Sequence, residues 1–140
     1  MLSQLIYVSN RMPNCTEEEI KKILSACEKN NPSLDITGVL LYSELKFIQL
    51  VEGESKTLNM LYDKIKLDKR HEKVFMLSYG PIKEKSFPSW HMGSRKISES
   101  EIDFQTEISV EDKKVFNKLL DGKEESGVKI LEILKKFFIK

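Results

Sequence analysis

The stretch Phe47-Ile48-Gln49-Leu50-Val51-Glu52-Gly53 constrains this chain more than any other. It reads as a strand, and a strand alternates its faces: Phe47, Gln49 and Val51 point one way, Ile48 and Leu50 the other. A carboxamide on a face that should be core carries two N–H donors and an acceptor oxygen, and leaving them unpaired there is costly. The fold must therefore bring either a buried partner or a polar ligand to Gln49.

The surrounding pattern says what kind of fold does this. Residues 2–9 read as a strand with Leu5, Tyr7 and Ser9 on one face and Ile6 and Val8 on the other. Thr16-Glu17-Glu18-Glu19 is a capping box, followed by Ile20, Ile23, Leu24 and Cys27 at helical spacing. Pro32 biases its predecessor away from helical geometry, so the helix is expected to stop near Asn30-Asn31-Pro32. Residues 36–42 and 46–51 form a hairpin that ends at Glu52-Gly53. Leu58, Leu61, Tyr62 and Ile65 mark a second helix over residues 55–67. Residues 74–79 are a further strand, and residues 90–97 a fifth. The order β-α-β-β-α-β-β predicts an α+β, ferredoxin-like sandwich: a mixed five-stranded sheet with two helices on one face.

After Ser98 the texture changes. Ser109-Val110-Glu111-Asp112 caps a helix to about Leu120, and Asp121-Gly122 breaks it. Ile130, Leu131, Ile133, Leu134, Phe137 and Phe138 then give a very apolar last helix. Residues 98–140 are expected to be a helical extension that packs on the sheet or mediates association.

At 140 residues, the chain suits one core with room for a small ligand. A net charge of +1 gives no bulk pull toward nucleic acid or acidic membranes. Cys15 and Cys27 bracket one helix and have no metal or redox spacing, so two free thiols fit a reducing cytoplasm. No transmembrane-length apolar run and no signal peptide is legible, and a cytoplasmic location is expected.

Chemistry-bearing motifs are few. There is no glycine-rich phosphate loop, no H-E-x-x-H and no Cys/His cluster. What stands out is a line of side chains on or beside the helix-covered face: Tyr7, Asn31, Gln49 and Met92. Singly, each has an ordinary structural role as core tyrosine, helix cap or gap filler. Together they suit a planar heteroaromatic ligand with donors and acceptors. Asp68-Lys69-Arg70-His71 reads either as a solvated turn or, with Lys64 one helical turn earlier, as a grip on an anionic tail. Trp90, just before Met92, reads as a core anchor or a ligand contact.

These residues, in this order, resemble the BLUF family of flavin-using blue-light sensors. The matching blocks are Gln4-Leu5-Ile6-Tyr7-Val8-Ser9, Asn30-Asn31 with Ile36-Thr37-Gly38-Val39-Leu40-Leu41-Tyr42, Phe47 to Gly53, Asp68-Lys69-Arg70-His71, and Phe87-Pro88-Ser89-Trp90-His91-Met92-Gly93. The resemblance implies that residues 1–97 form a flavin-binding domain, with FAD (FMN being possible) lying between the two helices over the sheet. It implies Tyr7 as photochemical donor and Gln49 as switching amide. Asn30 and Asn31 would lie at the flavin's edge, with Asn31 bonded to the ring. Ile23 and Phe47 would pack near it. Lys64, Asp68, Arg70 and His71 would sit near its tail, and Trp90 and Met92 in the signal-relay segment.

Two departures from the family pattern stand out. Cys27 replaces a common serine, and Ser43-Glu44-Leu45 lacks a usual glycine. The short stand-alone members that the chain resembles imply a receptor, not an enzyme, signalling through self-association or a downstream protein partner. Two other readings stay open on the sequence: a light-independent binding module of the same fold that has lost flavin photochemistry, and a small enzyme using Arg70 and His71 as an anion site.

Overall fold

The computed structural model describes residues 1–97, 109–123 and 126–138. Five strands and four helices follow one another as β1 (Leu2–Arg11), α1 (Glu17–Leu34), β2 (Thr37–Tyr42), β3 (Lys46–Glu54), α2 (Ser55–Leu67), β4 (His71–Pro81), β5 (Gly93–Lys96), α3 (Val110–Leu120) and α4 (Gly127–Phe138). The sheet order is β4-β1-β3-β2-β5. All neighbours are antiparallel except β5, which runs parallel to β2. This is the ferredoxin-like sandwich expected from the element order, with its added strand at the β2 edge.

The period-two pattern of the central strands decides what each face meets. Leu5, Tyr7, Leu40, Phe47 and Val51 face α1 and α2, where Ile20, Leu58 and Tyr62 are buried against them. Ile6, Val8, Val39, Leu41, Ile48 and Leu50 face the other way and pack with Phe116, Leu119, Ile130, Ile133, Leu134 and Phe137 of α3 and α4. Each such side chain, fully buried, contributes roughly 1.5–3 kcal/mol. The sheet is thus apolar on both faces and covered by helices on both. The change of texture expected at residue 98 lies outside the described residues.

Some boundaries differ from the sequence reading. α1 runs through Pro32 to Leu34 and ends where Asp35 turns left-handed (φ 52°). There the N–H groups of Asp35 and Ile36 close back on the carbonyls of Pro32 and Asn31, at 3.2 and 3.0 Å. That closure offsets the one N–H that Pro32 lacks. β3 continues through Gly53 to Glu54 because β1 pairs with it along the whole length. β5 is shorter than expected: Trp90 and Met92 precede it, since the Trp90 N–H closes a turn on the Phe87 carbonyl.

Two local features need explanation. The β2–β3 turn manages without glycine because Ser43 Oγ accepts the N–H groups of Leu45 and Lys46, at 3.2 and 3.0 Å. Gly38 is required by close approach, because a Cβ there would stand 2.0 Å from the Leu50 carbonyl oxygen. Among the described residues, no helix is long and apolar enough to cross a membrane.

Candidate functional site

A cleft opens between α1, α2 and the sheet face that carries Gln49. Its lining comprises Tyr7, Ile23, Cys27, Asn31, Leu40, Phe47, Gln49, Leu61, Ile65, Asp68, Arg70, His71 and Met92, around a free volume of about 100 Å³.

Strand pairing builds the centre of the cleft. Tyr7 and Gln49 are register partners on β1 and β3, so their side chains leave the sheet side by side. The Tyr7 hydroxyl donates to Gln49 Oε1 at 2.6 Å. Gln49 Nε2 in turn donates to Met92 Sδ at 3.4 Å. A thioether is a weak acceptor, so the amide N–H is poorly matched. Asn31, buried near the end of α1, donates from Nδ2 to the His91 carbonyl at 2.5 Å. Two carboxamides therefore hold the same short segment, His91-Met92, from the cleft side.

Electrostatics follow from burial. Tyr7 is enclosed, which raises its phenol well above the ordinary value; Cys27, Asp68 and Tyr62 push the same way. The Cys27 thiol is also raised by burial, against a hydrogen bond with Asn31. At the mouth, Arg70 grips Asp68 through Nε (2.9 Å to Oδ1) and Nη2 (2.6 Å to Oδ2), with Glu19 3.8 Å from Nη1. The Arg70 guanidinium holds the Asp68 carboxyl below its usual range.

His71 is held at both nitrogens. Its Nε2 lies 2.6 Å from the Ile65 carbonyl, which can only accept, so Nε2 carries a proton. Ser9 Oγ is 2.7 Å from Nδ1.

Of the residues expected at the site, Tyr7, Ile23, Asn31, Phe47, Gln49, Asp68, Arg70, His71 and Met92 line one cleft. Lys64 and Asn30 are exposed and do not line it. Trp90 points away from it, packing 5.4 Å from both the Phe87 and Phe138 rings on the α4 side of the sheet. Leu40, Leu61 and Ile65 also line the cleft; the sequence marks Leu61 and Ile65 only as helix positions, although the parity of β2 and the i, i+4 spacing on α2 place all three here.

The donor set fits a planar ring with an acceptor edge. A ring carbonyl or ring nitrogen is a better acceptor for Gln49 Nε2 than the sulfur it now meets, and the apolar lining suits the ring faces. The mouth fits an anionic tail only in competition, because Asp68 already occupies the Nε–Nη2 edge of Arg70 and both His71 nitrogens are taken. Among the described residues, no cluster of His, Cys, Asp or Glu could hold a metal.

The chain is similar to known proteins of one family. Residues 2–93 match the family described as BLUF, sensors of blue-light using FAD. Photoactivated adenylate cyclase subunit alpha of Euglena gracilis is 32% identical over 93 residues, covering 65% of this chain and 9% of that protein. The dark-state structure of BlrB, a BLUF protein, superposes with a TM-score of 0.66 at 32% identity, over 68% of this chain and 72% of that one. The photo-activated state of BlsA reaches a TM-score of 0.76 at 23% identity, over 100% and 96% of the two chains, a likeness of fold.

The fold and the match over residues 2–93 together define the class, a flavin-using photosensory domain. The chain belongs to the BLUF family of flavin-binding blue-light sensors. It spans about a tenth of the length of the cyclase subunits it matches.

Proposed function

We propose that this chain is a BLUF photoreceptor without catalytic turnover, in which Tyr7 and Gln49 perform the photochemistry and Met92 and Trp90 pass on the result. The observation that carries this reading is the continuous chain from Tyr7 O–H through the Gln49 amide to Met92. FAD is the favoured chromophore, in keeping with the family's description, with FMN as the alternative. Bound in the cleft and excited by blue light, the flavin supplies a strong one-electron oxidant.

With flavin bound, Tyr7 would give one electron to the excited ring and its hydroxyl proton to Gln49 Oε1 along the 2.6 Å bond, Gln49 releasing an Nε2 proton toward the ring in exchange. On their return to Tyr7, Gln49 would be left rotated or tautomerised. A glutamine suits this role because its amide exchanges donor for acceptor at nearly constant shape, which leucine cannot do. Any such exchange changes what Met92 Sδ receives. Asn31 steadies the ring edge and the His91 carbonyl. Ile23 and Phe47 pack on the ring, and Asp68, Arg70 and His71, with Asn30 and Lys64 farther out, flank the tail.

The readout is an altered protein contact at α3 and α4, through self-association or a downstream protein partner in the cytoplasm. Trp90 against Phe138 of α4 supports that route. So do Val110 and Val128, exposed near the starts of α3 and α4. No role with nucleic acid or membrane is part of this reading, in keeping with the near-neutral charge.

The deciding experiment is the visible spectrum of the purified chain in darkness and under blue light. A flavin spectrum that shifts slightly to the red and recovers in the dark is the expected result. A flavin that only bleaches, or a protein that takes up none, overturns the reading.

A further inference from the structure

Glu52 is completely buried, although Glu52-Gly53 reads in the sequence as a strand end where a carboxylate would ordinarily meet solvent. Its carboxylate accepts two consecutive main-chain amides, Ser86 N–H at Oε2 (2.7 Å) and Phe87 N–H at Oε1 (2.8 Å). A carboxylate receiving one N–H on each oxygen makes charge-assisted bonds, roughly twice as strong as neutral ones. Its register partners Gln4 and Thr37 are buried too, but Gln4 Oε1 and Thr37 Oγ1 have no hydrogen-bond partner among the described residues. Both carboxylate oxygens are given instead to the main chain.

The segment so held leads directly into the residues that answer to the cleft. Phe87 is buried, and its carbonyl accepts the Trp90 N–H at 3.2 Å. The Trp90 carbonyl accepts Gly38 N–H at 2.9 Å. Only then come the two contacts from cleft side chains, Asn31 to His91 and Gln49 to Met92. Residues 86–92 thus have one end fixed by Glu52 and the other end held by the amides that face the cleft. Glu52 and Gln49 lie three residues apart on the same strand, pointing to opposite faces.

We propose that Glu52 is a positioning residue for the light response: its carboxylate pins Ser86 and Phe87 to the strand that carries Gln49, so that any change at Gln49 is confined to Trp90, His91 and Met92. The proposal rests on the reading of Gln49 as the switching amide. Without the pin, a change at Met92 spreads back through a loose loop, and Trp90 no longer has a defined seat against Phe138.

The test is Glu52→Gln in the full chain with its flavin. Glutamine keeps the shape but turns an NH2 group toward one of the two amides. Amide exchange at Ser86 and Phe87 in the dark is expected to accelerate roughly tenfold or more, in line with a lost hydrogen bond to a charged group. Emission of Trp90, the single tryptophan, should move to longer wavelength. The flavin red shift should still form, because Tyr7 and Gln49 are untouched, while its dark recovery changes several-fold. Ser86→Pro removes one donor from the opposite side and should act in the same direction; it decides the matter if Glu52→Gln does not fold. Unchanged exchange and unchanged Trp90 emission, or an unchanged recovery rate, would overturn the proposal alone. A wild type that binds flavin without any red shift would overturn the Gln49 reading and this proposal together.

Discussion

Tyr7 and Gln49 face each other as register partners across β1 and β3, and the Tyr7 hydroxyl donates to Gln49 Oε1 at 2.6 Å. Two residues 42 positions apart are thereby joined by sheet register, not by a flexible loop. A one-residue slip of either strand would send its own member of the pair to the opposite face and part the two. The backbones that carry the pair are therefore held by the centre of the sheet, which keeps the proton path short.

Gln49→Leu should retain flavin and lose the reversible red shift, because no amide remains to rearrange. It also leaves the buried Tyr7 hydroxyl without its acceptor, which costs about 1–3 kcal/mol of stability. Tyr7→Phe should stop the photocycle as well, with Gln49 Oε1 left unpaired instead. Absorption difference spectra and denaturant unfolding check both. A full red shift in Gln49→Leu sinks the assigned role.

Alkaline pH provides a second check on Tyr7. Burial raises its phenol above the ordinary value of 10.0, so the folded state holds the proton more tightly than the unfolded chain does. The resulting stability is fully present below about pH 10 and is lost as pH rises through the folded-state value. Ultraviolet titration of phenolate should show one fewer late-titrating tyrosine in Tyr7→Phe than in wild type. Photochemical yield should stay flat up to about pH 10, since Tyr7 remains protonated throughout. A Tyr7 phenolate that forms below pH 10 in the folded protein would contradict this.

Gly38→Ala tests the close approach beside the relay segment. The added Cβ would stand 2.0 Å from the Leu50 carbonyl oxygen, so β2 and β3 must part. Overpacking of this kind costs about 1–3 kcal/mol, occasionally more. The Gly38 N–H also supports the Trp90 carbonyl, so Trp90 emission should change together with the unfolding midpoint. A variant as stable as wild type, with the same emission, would show that the contact yields freely.

Much of this was legible in the residues. Leu58, Leu61, Tyr62 and Ile65 mark α2 clearly enough that its bounds, Ser55–Leu67, follow from spacing. The alternation around Gln49 likewise placed it on the helix-covered face. Pro32 misled, because a proline's local bias is weaker than the capping closure that begins three residues later. The opposite directions of Trp90 and Met92 were not legible, since both precede the strand whose parity would have assigned them. Nor was the role of Glu52, because a Glu-Gly strand end looks like solvent-facing punctuation until Ser86 and Phe87 arrive from 34 and 35 residues away. Contacts of that separation depend on how loops return to the sheet, which period and propensity do not encode.

Trp90 stands 5.4 Å from the Phe138 ring in an edge-on arrangement, and Phe87 lies 6.2 Å from the same ring. Phe138 thus joins the end of α4 to the segment that Gln49 and Asn31 touch. Truncation of a fully buried phenylalanine costs about 3–5 kcal/mol, and a half-buried one a fraction of that, about 1–2 kcal/mol. Phe138→Ala should therefore fold, bind flavin and keep the red shift, because nothing in the Tyr7–Gln49 pair is altered. What it should lose is transmission: Trp90 emission moves to longer wavelength, and the light-minus-dark difference in amide exchange along α4 shrinks. If that difference persists undiminished, the signal leaves the cleft by another path, and the Trp90–Phe138 contact is packing alone.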